Sequence, residues 1–251
     1  MDRSIPFVAH RMGMPAFPAH LVEAAGDMGD HVTGFAVIGW LTRCPMERWG
    51  EEWPERGTMQ VRFRRGLHVG DPLTIHLCDL GDDLRIEVAA PNGELVASGS
   101  AALPASPRRF EPATSPAFTG PLLPYADDLV GRALDVLETD FVAARDLAFV
   151  HHLEPDDPWR VLRIAHPAHV VSVANLLVKQ SVAFTTGTWT HAGSSTANLR
   201  PIADGAALRC SGSIPRVIRT PEHDFAVAEI VVEADGVASM LVEHTLLCER
   251  R

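Results

Sequence analysis

Two long apolar runs, each entered through a histidine, dominate the pattern of the chain. Arg163 to Val182 (RIAHPAHVVSVANLLVKQSV) is apolar almost without interruption, and Asp30 to Cys44 (DHVTGFAVIGWLTRC) echoes it in the first half. Runs that are apolar on nearly every side predict helices wrapped on several faces by other structure. After the first run the period changes to two: Met59, Val61 and Phe63 alternate with Gln60, Arg62 and Arg64. Further strands are expected at Leu73 to Cys78, Leu84 to Ala90 and Glu94 to Leu103, separated by Gly70-Asp71, Gly81-Asp82-Asp83 and Asn92-Gly93. Residues 1 to 30 give only a short strand at Ile5 to Val8 and a weak helix at Leu21 to Met28.

Six prolines between Pro104 and Pro124, among small and polar residues, predict an extended connector. Residues 125 to 152 carry mixed helical and strand-like patterns, and Ala183 to His191 is rich in Thr and Trp, as strands are. The second half follows the order of the first. His31-Val32 aligns on His169-Val170 at an offset of 138, Phe63 to Gly70 on Asn198 to Gly205 at 135, and Asn92-Gly93 on Asp235-Gly236 at 143. Each half therefore reads as one long helix followed by about four antiparallel strands, an α+β pattern. Helices alternating with single strands, the mark of a parallel sheet, are missing. A sheet curled round one apolar helix is the hotdog architecture, and two copies make a double hotdog. The expected division is an N-terminal hotdog at 1–103, a linker at 104–124 and a C-terminal hotdog at 125–251.

Composition narrows the function. With 46% hydrophobic and 22% charged residues the chain is of ordinary globular type, and 251 residues can bury a core in each half. A net charge of -10 opposes nucleic-acid or anionic-membrane binding, which needs clustered Lys and Arg. The cysteines Cys44, Cys78, Cys210 and Cys248 form no C-x-x-C pair, which points to reduced thiols in a cytoplasm. No stretch reaches the ~20 apolar residues of a membrane span, and no signal peptide is read at the start.

The two helix-plus-meander halves, His166-Pro167 at the entry of the second helix and the ending Asp235-Gly236 to His244-Thr245-Leu246-Leu247 resemble double-hotdog acyl-thioester proteins. Within that group the chain is similar to MaoC-like (R)-specific enoyl-CoA hydratases and dehydratases, and more distantly to polyketide dehydratase domains. The resemblance implies a thioester substrate carried by CoA or an acyl carrier protein, and hydratase or dehydratase chemistry without a cofactor. The catalytic motifs depart from it. Where the MaoC-like loop D-x-N-P-x-H supplies an Asp and a His, this chain has Pro155 and Arg160. His166-Pro167 fits the dehydratase pattern H-P-x-x-x-D-x-x-x-Q, but Val171 stands at its Asp and Asn175 at its Gln.

Candidate residues follow from how hotdog enzymes handle thioesters: a helix N-terminus points backbone N–H groups and a positive dipole end at the thioester carbonyl. Gly34 would let that carbonyl approach, or would serve close packing of the helix. Asp30 and His31 could form a base with its orienting carboxylate, or a helix cap beside a surface histidine. His166 and His169 lie one turn apart behind Pro167, with Asn175 further along as a hydrogen-bonder to a carbonyl; a packed structural role is the alternative. Arg65 and Arg200 could contact a carrier phosphate, or be solvated strand-end arginines.

Metal binding is not expected, since His151, His152, His166, His169 and His191 show no H-E-x-x-H spacing. Ser194-Ser195 and Ser211-Gly212-Ser213 lack a nucleophile-elbow context, so serine hydrolase chemistry is not indicated. Three functions stay open: an acyl-thioester hydratase or dehydratase with an altered motif, a hotdog thioesterase, and a non-catalytic hotdog that binds a hydrophobic ligand or serves as a partner subunit. The repeat is compatible with a monomer, itself a pseudo-dimer, or a homodimer.

Overall fold

The computed structural model describes residues 2–9, 31–108, 123–124, 130–148, 158–183 and 190–250. Strand β1 (Arg3–Val8) precedes helix α1 (Gly34–Trp49) and the short α2 (Glu52–Arg56). Strands β2 (Thr58–Phe63), β3 (Pro72–Asp79), β4 (Asp83–Ala89) and β5 (Leu95–Ala102) complete the first half. The second half has β6 (Leu123–Pro124), β7 (Leu137–Asp140), α3 (Ala143–Asp146), α4 (Pro158–Leu162), α5 (Pro167–Ser181) and β8 (Val182–Ala183). Four long strands follow: β9 (Thr190–Asn198), β10 (Ala207–Arg219), β11 (His223–Ala234) and β12 (Val237–Arg250). Most of the proline-rich stretch, and the helix read at 21–28, lie outside the described residues.

Ten strands form one antiparallel sheet in the order β1-β3-β4-β5-β2-β9-β12-β11-β10-β7. The two halves meet where β2 pairs with β9, Val61 opposite Ser194 and Arg62 opposite Gly193. Because side chains alternate along a strand, Met59 and Val61 are buried against the helices while Gln60, Arg62 and Arg64 are exposed. Helices α1 and α5 pack against each other inside the sheet. Phe35 to Thr42 is buried without a break in α1, and so is Pro167 to Ala174 in α5, so neither helix keeps a polar face along these stretches.

The repeat expected from the sequence is present, but its register at the helices needs correction. Val32 N–H donates to Leu67 O just as Ala165 N–H donates to Ile202 O, and the isolated bridge His31 to His68 has its counterpart in Ile164 to Ala203. The offset at the helix entry is therefore 133, not 138, and His31 corresponds to Ile164 rather than to His169. Thr33 and His166 become equivalent helix caps. An all-apolar helix offers no landmark along its length, so a matched His-Val pair could not fix the register; the ladder hydrogen bonds before it do. The 135 and 143 offsets of the strands stand. Gly93 and Gly236 both take positive φ, 81° and 74°, at the two equivalent hairpins, where a side chain would be strained.

Candidate functional site

A chain of hydrogen bonds lies in the second half, beside its junction with the first. His191 and Ser194 lie on β9, His244 on β12 directly opposite Ser194, and Asn175 on α5. His191 Nε2 is 2.8 Å from Ser194 Oγ, Ser194 Oγ is 3.0 Å from His244 Nδ1, and His244 Nε2 is 3.0 Å from Asn175 Oδ1. Ser194 and His244 are buried, and Asn175 and His191 keep partial exposure. The two imidazoles stack with centroids 3.9 Å apart.

The proton positions follow from the end of the chain. Asn175 Oδ1 can only accept, so His244 donates from Nε2. Burial, then the neighbouring His191, holds the His244 pKa well below its usual range, so the ring is neutral and its Nδ1 is a bare acceptor. Ser194 donates to it and accepts from His191 Nε2–H. Burial pushes the His191 pKa down to about 3, with a backbone hydrogen bond at Gly193 acting the other way. Its Nδ1 therefore carries the free lone pair of the chain.

That nitrogen faces the first turn of α1. A Cβ placed on Gly34 would lie 2.3 Å from His191 Nδ1 and 2.8 Å from the Phe63 ring, and Phe63 meets His191 edge-on at 4.9 Å between centroids. Gly34 is thus the residue that lets the imidazole sit against a helix N-terminus. Its side-chain space is filled by protein, the packing role weighed for it above. The cap residue Thr33 makes no side-chain hydrogen bond to the helix.

The other expected site residues are placed elsewhere. His31 is exposed and packs its ring at a tilt on His68, 4.4 Å between centroids; Asp30 lies outside the described residues. His166 is fully buried and caps α5: Ala168 N–H donates to its Nδ1 at 3.0 Å. Thr42 of α1 donates to Gly39 O, so His166 Nε2–H donates to Thr42 Oγ1, 3.3 Å away, and ties the helices together. Burial, then the His169 charge, brings its pKa down to about 3.

His169 is buried against Phe141, 5.6 Å between centroids. Desolvation lowers its pKa against the pull of Asp146, a buried carboxylate that accepts from Arg145 and from Val142 N–H. Arg65 is exposed with its nearest carboxylate, Glu94, at 4.0 Å. Arg200 donates to Ser239 Oγ at 2.9 Å and to Ala234 O, which fixes it to the β11–β12 hairpin.

Of the expected residues, only Gly34 and Asn175 belong to the junction cluster. Sequence reasoning set Ser194 aside as a hydrolase nucleophile, named His244 only within the C-terminal ending, and weighed His191 only as a metal ligand. The readable signal was phase: Met240, Val242 and Leu246 are buried hydrophobic positions of β12, and His244 falls in step with them. In the first half the equivalents of Ser194 and His244 are Met59 and Ala101, which pair in the same way. The polar chain therefore exists in one repeat only. Among the described residues no group of three or more His, Cys, Asp or Glu side chains could hold a metal, and no helix is long and apolar enough to cross a membrane.

No protein-family model and no curated protein matches the sequence. Solved structures do. A MaoC-like dehydratase is 16% identical, with 97% of this chain and 96% of that one covered and a TM-score of 0.58. A Mycobacterium tuberculosis protein with a double hotdog fold is 15% identical over 96% and 88%, TM-score 0.56. An acyl-ACP thioesterase from Bacteroides thetaiotaomicron is 8% identical over 98% and 97%, TM-score 0.51. These likenesses cover nearly the whole chain, and its fold is a double hotdog.

Proposed function

We propose that this chain acts on acyl thioesters of CoA or an acyl carrier protein, in the manner of a hydratase or dehydratase, with His191 as the group that moves the proton. The observation that carries the reading is the bare Nδ1 of a neutral His191 against the N-terminus of α1. The helix end supplies backbone N–H groups and the positive end of its dipole, where a thioester carbonyl gathers negative charge as its α-proton leaves. The imidazole beside it accepts that proton and passes it to the β-hydroxyl, which leaves as water as the enolate collapses to the double bond; hydration runs the same steps in reverse. A pKa near 3 keeps His191 unprotonated and ready to accept; the enolate charge that develops beside the ring as the proton moves offsets the burial that makes it a weak base.

Ser194, His244 and Asn175 hold the ring in the tautomer that leaves Nδ1 free. The thioester substrate class is supported by the dehydratases and thioesterases among chains of this fold.

One observation favours a second reading, hydrolysis of the thioester. Ser194 donates to a histidine whose other nitrogen is held by Asn175, the arrangement of nucleophile, base and orienting group found in acyl-transfer triads. Burial of Ser194, and its second bond from His191, count against attack by that hydroxyl.

Loss of enoyl-CoA absorbance and release of free thiol from acyl-CoAs, measured in wild type, His191→Ala and Ser194→Ala, separate the two. Hydration that falls at least 100-fold in His191→Ala, in a variant that stays folded, supports the first reading. Thiol release abolished by Ser194→Ala replaces it with the second. Full hydration in His191→Ala removes the first.

A further inference from the structure

On its outer surface the sheet of the first half carries charge of a kind the rest of this acidic chain does not. Strand β5 presents Ser98 and Ser100 there, flanked by Gln60 and Arg62 of β2, with Arg64 just beyond its end, on one side and by Arg85 and Glu87 of β4 on the other. The small residues make a floor and the long ones walls, giving an open groove of about 270 Å³. All three arginines are exposed.

On the sheet of the second half Arg209 pairs with Glu233 at 3.2 Å, and Arg216 with Glu243 at 2.7 Å. In the groove the one carboxylate is Glu87. Among the described residues Arg62, Arg64 and Arg85 form no ion pair, and Arg64 reaches only Ser98 Oγ at 3.5 Å. Leaving three guanidinium groups together without counter-ions, in a chain of net charge -10, costs mutual repulsion that a bound anion relieves.

We propose that this groove binds a phosphate-type oxyanion, a pyrophosphate or a phosphate monoester. Guanidinium forks match phosphate oxygens with two parallel N–H donors, and Ser98 and Ser100 add hydroxyl donors at the floor. The volume is at the lower edge of small-molecule pockets, roughly 300 Å³, so it takes the phosphate part of a ligand rather than a whole cofactor. The proposal stands apart from the chemistry at His191. The source of the phosphate is either the carrier of an acyl thioester or a free phosphate compound.

The test is calorimetric titration of the full chain with inorganic pyrophosphate at low salt. Saturable binding at one site is expected, weakened at least tenfold in Arg62→Gln/Arg85→Gln, little changed in the paired control Arg209→Gln, and tightened in Glu87→Gln. No saturable binding, or equal weakening by Arg209→Gln, overturns the proposal. A second arm separates the sources. If the carrier supplies the phosphate, CoA binding weakens with that of pyrophosphate in the double variant. If CoA binding is unchanged while that of pyrophosphate is lost, the groove serves a free phosphate compound. Neither arm depends on turnover, so an inactive protein would still report on the groove.

Discussion

His191 and His244 stack with their planes 25° from parallel and centroids 3.9 Å apart, and a single hydroxyl, Ser194 Oγ, bridges them. Two positive rings at that distance would repel, so the pair is built to take up no more than one proton beyond the one each neutral ring carries. With Asn175 accepting at the far end, both rings carry their resting proton on Nε2. The ¹⁵N chemical shifts of the imidazoles, assigned with His191→Gln and His244→Gln, should show the Nε2–H tautomer for both at pH 7. An Nδ1–H tautomer at His191 would remove the free lone pair on which the proposed chemistry depends.

Breaking the chain at its Asn175 end should lower stability as well as activity. In Asn175→Leu the His244 Nε2–H loses its acceptor inside the protein, at a cost of about 1–3 kcal/mol. Urea midpoints should fall accordingly. Asn175→Gln, which can still reach His244, should recover part of the loss.

Gly34→Ala should be more damaging than its size implies. The new methyl would overlap His191 Nδ1 and the Phe63 ring, and overpacking of this kind costs about 1–3 kcal/mol. Combining it with His191→Ala should recover most of the stability, measured by denaturant unfolding, but none of the activity. If the double variant is no more stable than Gly34→Ala alone, the contact is not the cause.

His166 is expected to contribute through folding. His166→Ala removes a helix cap and the bond to Thr42, a loss of about 2 kcal/mol or more. His166→Asn keeps a capping oxygen and should restore about half of it. Turnover per folded molecule should change less than twofold in either variant; a hundredfold fall in His166→Asn would return this residue to the catalytic site.

Acid should destabilise the protein before its carboxylates titrate. The folded chain holds His166 and His191 near pKa 3, with His169 and His244 also lowered. In the unfolded chain histidines protonate at about pH 6.5. Below that pH the unfolded state binds more protons, so stability falls as pH drops, by up to about 1.4 kcal/mol per pH unit for each such group, until the folded pKa values are approached. Chemical denaturation at pH 7, 6 and 5 should show this loss, with a shallower slope in His166→Asn. A flat profile between pH 7 and 5 would contradict the buried, neutral assignment.

The helix-and-meander repeat was legible in the sequence because it rests on local physics: apolar runs for the helices, period-two alternation for β2, and turn residues at Asn92-Gly93 and Asp235-Gly236. So was the special position of Gly34, as a glycine at the start of such a run. What the sequence could not supply was neighbourhood. Ser194 and His244 are 50 positions apart and meet because β9 and β12 pair in one register. His191 reaches Gly34 because β2 and β9 join the two halves edge to edge. His31 and His169, read as equivalents, proved to be a surface residue and a buried one. Hydrophobic period determines which residues turn inward; which inward polar groups touch is decided by strand pairing and helix packing between distant parts of the chain, and that only the tertiary structure fixed.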